Sequence, residues 1–194
     1  MRARVLTALV AIVALGGCGP AEAGNGAGQG RLGLGREVAA HEVAALDIDI
    51  GPDGVGLPPG SGSVAEGTKV YAAKCASCHG ANGEGMRPAY PALVGRPPEA
   101  EQFKFGSEPG LERTIGNYWP YATTVFDYVR RSMPQMTPGS LTDNEVYALT
   151  AYLLAANEII AKDATLDAES LKKVEMPYRD RFVPDNRRGG REVK

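Results

Sequence analysis

The stretch KCASCHG, residues 74–80, restricts the architecture of this chain more than any other. It sets Cys75 and Cys78 three positions apart, with His79 directly behind them. Two thiols and an imidazole in five residues suit a metal clamp, a redox pair or the covalent attachment of a prosthetic group, and each implies a different surrounding fold. A structural zinc ion needs four ligands. His41 could complete the set with Cys75, Cys78 and His79, but it lies in a weakly specified segment, and neighbouring Cys78 and His79 are poorly placed for a tetrahedron. A dithiol redox pair calls for βαβ surroundings, and no strand pattern is visible. A disulfide would leave His79 without a role.

Covalent haem c uses all three residues. Thioether bonds from Cys75 and Cys78 would grip one edge of the porphyrin, and the adjacent His79 could then reach the iron as proximal ligand. The N-terminus agrees with attachment outside the cytoplasm. Arg2 and Arg4 precede an eleven-residue apolar run, residues 5–15. That run is too short to span a bilayer and reads as an export signal. It ends in LGGC, which resembles the bacterial lipobox, so Cys18 is the expected lipidation site after removal of residues 1–17. A diacyl anchor with an added acyl chain is enough for stable membrane attachment. The expected location is therefore periplasmic, held to a bacterial membrane by lipid. Losing Arg2 and Arg4 takes the net charge from −2 to −4, and nothing points to nucleic acid.

Behind Cys18 a Gly-rich tether is expected over residues 18–35. An N-terminal arm, residues 36–62, follows, with a short helix over 36–46 on which Val38, Val43 and Leu46 share a side. The stretch DIDIGPDGVGLPPGSGS then marks turns and extended backbone. Ser63 reads as the N-cap of a helix over residues 64–76, with Val64, Val70 and Tyr71 inward and CASCH at its end. Residues 80–110 read as loop and LERTIG, 111–116, as a short helix. ATTVFDYVRRS, 122–132, has Val125, Tyr128 and Val129 at helical spacing. The clearest helix starts at Thr142, whose partner Glu145 makes a capping box. Val146, Leu149, Leu153 and Ala156 repeat behind it at helical period. The boundaries expected are 63–161 for the main domain and 162–194 for a charged, proline-containing arm and tail.

From this point the chain resembles class I cytochromes c. YPALVG puts Pro91 twelve residues after His79, with Leu93 following. The resemblance implies that the Pro91 carbonyl accepts the imidazole N–H and that Leu93 packs on the haem. It also implies a distal methionine in the loop before the last helix, where Met133 stands in Met-Pro. Met136, His41 or an open site remain the alternatives. Met86 is too close to His79 to cross the ring, and Met176 lies beyond the last helix. A His79/Met133 pair would fill the iron's coordination sphere and favour electron transfer over oxygen chemistry. The fold class expected is all-α, a class I cytochrome c fold with extended irregular N- and C-terminal arms.

The longer stretch TIGNYWPYATTVFDYVRRSMP, with PGSLTDNEVYALTAYLLAANEII after it, is similar to the SoxD-like cytochrome c subunits of periplasmic sulfur- and sulfite-oxidising dehydrogenases. The similarity spans residues 33–185. It implies a molybdenum-cofactor subunit of the sulfite oxidase type as electron donor and a downstream cytochrome or oxidase as acceptor. With a single CxxCH motif, this chain would be a monohaem member. The arms 36–62 and 162–185 would lie along the haem domain and the partner. Trp119, Tyr118 and Tyr121 would pack beside the haem or line its edge at the partner interface. No catalytic residue for sulfur chemistry is identifiable, so the chain would carry electrons and do no substrate chemistry of its own. The alternative function is a stand-alone lipid-anchored monohaem cytochrome serving another respiratory dehydrogenase or a terminal oxidase.

Overall fold

The computed structural model describes residues 35–95 and 110–185. The export signal, Cys18, nearly all of the Gly-rich tether and the last residues of the tail lie outside them. No helix among the described residues is long and apolar enough to cross a membrane.

The elements run α1 (Ala40–Leu46), β1 (Ser61–Ser63), α2 (Val64–Lys74), α3 (Ala76–His79), α4 (Ala122–Ser132), α5 (Asp143–Ala156), β2 (Thr165–Asp167) and α6 (Ala168–Leu171), with a 3-10 turn at Arg179–Arg181. Both long capped helices start where their side chains dictate. The Ser63 hydroxyl accepts the Glu66 N–H at 3.2 Å, and the Glu66 carboxylate accepts the Ser63 N–H at 2.8 Å. Thr142 and Glu145 repeat the device at 3.3 and 2.9 Å. Each box satisfies two otherwise orphaned donors and is worth about 1 kcal/mol.

α2 and α5 pack closely against one another. Gly67 lies at their crossing, where a Cβ would overlap the backbone carbonyl oxygen of Ala148. A backbone atom cannot swing aside, so this position is closed to larger residues. The Val146–Leu149–Leu153 stripe is buried, but so are Tyr147, Ala151 and Leu154, because α5 is covered on almost every side. α4 supplies Phe126, whose ring stacks on Tyr147 at 4.5 Å.

Three local expectations give way. LERTIG does not form a helix. Asn117 takes its backbone groups instead, accepting the Thr114 N–H at 2.8 Å and donating to the Glu112 carbonyl at 2.9 Å. Such side-chain bonds compete with the helical ladder. α1 forms, but it buries no residue, and Val43 and Leu46 face solvent. The strictly helical expectation also needs amending, because β1 pairs antiparallel with β2, Gly62 opposite Leu166. Three-residue strands reading SGS and TLD are too short to show a period of two.

The segments before and after the central helices are tied into one core. Ile50, Leu166, Leu171 and Met176 are buried among the helical residues. The Tyr147 hydroxyl donates to the Pro58 carbonyl at 2.8 Å. Asp127 accepts the Ile50 N–H at 2.8 Å and also binds Arg131. Burial pushes the Asp127 carboxyl up, but hydrogen bonds from Arg131 and the Ile50 N–H, with the charges of Arg131 and Arg130, outweigh it and hold it below the usual aspartate value. A depressed folded-state pKa stabilises above the unfolded value, near 4, and that stability is lost as pH falls through the folded value. Asp127→Asn should therefore lower stability at pH 7 by about 1–3 kcal/mol and flatten the loss of stability below pH ~4. Urea unfolding at pH 7 and pH 3 measures both; an unchanged acid loss in the variant would place the titration elsewhere.

Candidate cofactor site

A cavity of about 650 Å³ opens between the CASCH turn, the loop at residues 89–93, α4, the loop after it and one face of α5. That volume falls within the range of cofactor and ligand sites in proteins. Cys75, Cys78 and His79 stand together on its wall. The turn is made by the chain itself: Cys75 closes α2 with its N–H on the Tyr71 carbonyl at 2.9 Å, and its own carbonyl accepts the His79 N–H at 3.0 Å to start α3. The Tyr71 hydroxyl donates to the Gly80 carbonyl at 2.8 Å and ties down the far side of the motif.

Both thiols are free, with no disulfide between them. Burial pushes the Cys75 thiol up to about 11, so it faces the cavity as a neutral group. Among the described residues no group of three or more His, Cys, Asp or Glu could hold a metal ion. His79 Nδ1 lies 3.1 Å from the Pro91 carbonyl oxygen. A carbonyl only accepts, so Nδ1 carries the proton and Nε2 keeps its lone pair for a metal. Two free thiols, an imidazole held in the metal-binding tautomer and apolar walls fit a covalently attached haem c.

Leu93 lines the cavity and packs against the core. Met133 lines it too, at the C-terminal end of α4. Met136 is 90% exposed, Met86 is half exposed and Met176 is buried in the core, and none of these three lines the cavity. His41 stands exposed on α1. Trp119 lines the cavity, with its indole N–H on Thr124 at 2.9 Å and its ring edge-on to Tyr128 at 5.6 Å. Tyr118 and Tyr121 do not. Phe182 packs edge-on against Tyr118 at 5.3 Å, and the Arg179 guanidinium covers Tyr121 at 4.9 Å.

Two residues beyond the sequence reading hold the Pro91 loop. Asn157, almost fully buried, accepts the Gly95 N–H at 3.0 Å and donates to the Leu93 carbonyl at 3.1 Å. Glu112 accepts the Ala92 N–H at 2.9 Å and pairs with Arg87 at 2.6 Å. Asn157 carries a faint sequence signal, a polar residue ending the apolar α5 stripe. Glu112 carries none, because its partners lie 20 and 25 residues upstream in an irregular segment.

The family model for cytochrome c matches residues 64–157. Among curated proteins the chain is similar to the thiosulfate dehydrogenase of Stutzerimonas stutzeri strain A1501, 28% identical over 125 residues, covering 62% of this chain and 36% of that protein. It is also similar to the thiosulfate dehydrogenase of Allochromatium vinosum, 26% identical over 134 residues, covering 69% of this chain and 43% of that protein. The chain thus spans less than half the length of these relatives. Among solved structures it is similar to a chain of the sulfane dehydrogenase SoxCD from Paracoccus pantotrophus, 42% identical with a TM-score of 0.70, covering 80% of this chain and 73% of that one.

Proposed function

Because the chain belongs to the cytochrome c family, as a SoxD-like class I member with covalently attached haem c, we propose that it is the electron-transfer subunit of a periplasmic sulfur- or sulfite-oxidising dehydrogenase. In this reading it accepts electrons from a molybdenum-cofactor subunit and passes them to a downstream cytochrome or oxidase. One observation carries the reading. The likeness to the SoxCD chain covers 80% of this chain at 42% identity, more than residues 64–157 can supply, so it reaches into the flanking arms. A generic haem domain would have no reason to share the arms.

The site supports a relay. A haem c held there supplies a one-electron couple. Cys75 and Cys78 would hold its edge, and His79, oriented by the Pro91 carbonyl, would ligate the iron. Met133, the methionine lining the cavity, would supply a second, thioether ligand. With both ligands bound, the iron would have no open position for oxygen or a sulfur substrate. Leu93, Trp119, Leu149 and Leu153 keep water from the ring. The lipid on Cys18 would hold the assembly at a membrane surface.

The test uses the complex purified from its native host. With a molybdoprotein co-purifying, the haem should be reduced on adding sulfite, thiosulfate or a sulfane-sulfur compound, and should stay oxidised when the molybdoprotein is removed. Purification as a single chain, reduced by none of the three, would favour a stand-alone lipid-anchored cytochrome.

A further inference from the structure

The loop that carries Pro91 connects His79 to a charged side chain through one peptide group. The Pro91 carbonyl accepts from His79 Nδ1 at 3.1 Å. The N–H of that same peptide, on Ala92, donates to Glu112 Oε1 at 2.9 Å. The other carboxylate oxygen, Oε2, accepts from Arg87 at 2.6 Å. The four groups form an unbroken line: imidazole N–H, peptide, carboxylate, guanidinium.

We propose that Glu112 is a positioning residue that sets the donor strength of His79 through the Pro91–Ala92 peptide. A carboxylate on the peptide N–H pulls that proton and pushes electron density onto the carbonyl oxygen, because hydrogen bonds in a chain polarise one another. The more negative carbonyl draws harder on the Nδ1 proton, and the imidazole becomes a stronger donor at Nε2. A stronger donor stabilises the oxidised iron. The Ala92 N–H, against an opposing effect of burial and with help from Arg87, holds the Glu112 carboxyl below the ordinary glutamate value, so the charge is present at neutral pH. Arg87 pulls the carboxylate the other way, but its side chain is 68% exposed, so the opposition is weak. The Asn157 bonds to Leu93 and Gly95 hold the next three residues independently of Glu112. The loop therefore keeps its place when the charge alone is removed.

The inference rests on His79 as axial ligand, and the test separates the two. Holoprotein with Glu112→Gln retains an acceptor for the Ala92 N–H and loses the charge. Its haem should be more easily reduced, by up to about tenfold in the equilibrium constant, ~59 mV for one electron. In the reduced protein the His79 Nδ1 proton resonance should move upfield as its hydrogen bond weakens. Arg87→Gln frees the carboxylate and should move both readouts the opposite way. A role in merely holding the loop predicts the same direction for both variants. Equal directions, an unmoved potential, or a moved potential with an unmoved Nδ1 resonance would each overturn the proposal. A wild-type holoprotein without histidine ligation would overturn the assignment of His79 and the proposal with it; intact ligation with an inert Glu112→Gln overturns the proposal alone.

Discussion

A chain carrying Cys75→Ser and Cys78→Ser together will retain no haem through denaturing electrophoresis and will lose most of its helical signal. The two thiols are the covalent hold on a group that would fill a cavity of about 650 Å³ lined by core residues such as Leu149 and Leu153. Leaving a quarter of that volume unfilled costs about 4 kcal/mol at ~24 cal/mol per Å³. A domain of this kind has only ~5–15 kcal/mol of net stability. The group is thus part of the core as well as the redox centre, and α4 and α5, which pack against each other and line it, should loosen together. Far-ultraviolet circular dichroism with haem staining measures both effects. A double variant that keeps native helicity and melts as the wild type does would show that the fold does not depend on attachment.

Met133→Ala is the second large change. With Met133 as the proposed thioether ligand, its loss should lower the reduction potential by on the order of 100 mV or more, since axial ligation sets haem potentials over ~0.8 V. The reduced variant should also bind CO. Met136→Ala should alter neither property, because Met136 is 90% exposed. Met176→Ala should cost about 2–5 kcal/mol of stability as a core truncation and leave the spectrum unchanged, because Met176 is buried away from the cavity. A Met133→Ala protein with unaltered low-spin spectra and no CO binding would return the distal position to another residue.

Legibility in the sequence followed distance along the chain. The helix starts at Ser63 and Thr142 were readable because each capping box closes within four residues. Pro91 was readable only through resemblance, since a proline twelve residues on has no local meaning by itself. The absence of a helix at LERTIG was hidden, because Asn117 takes backbone bonds that the apolar pattern does not report. The ribbon was hidden for another reason: Gly62 and Leu166 have no mutual signal across a hundred residues of chain.

The sequence by itself determined the haem-attachment motif. Two thiols and an imidazole inside five residues are brought to one place by local backbone alone, and with the export signal they point to haem c without any tertiary contact. It also determined the two capped helices, because their hydrogen bonds are local. Only the tertiary structure decided which methionine faces the cavity. Met133 and Met136 are three residues apart, yet one lines the cavity and the other stands in solvent. Packing alone also brought Glu112 to the Pro91–Ala92 peptide and folded both arms onto the core through Ile50 and Leu166. Those contacts join residues far apart in sequence, and their energy exists only once the intervening chain has closed.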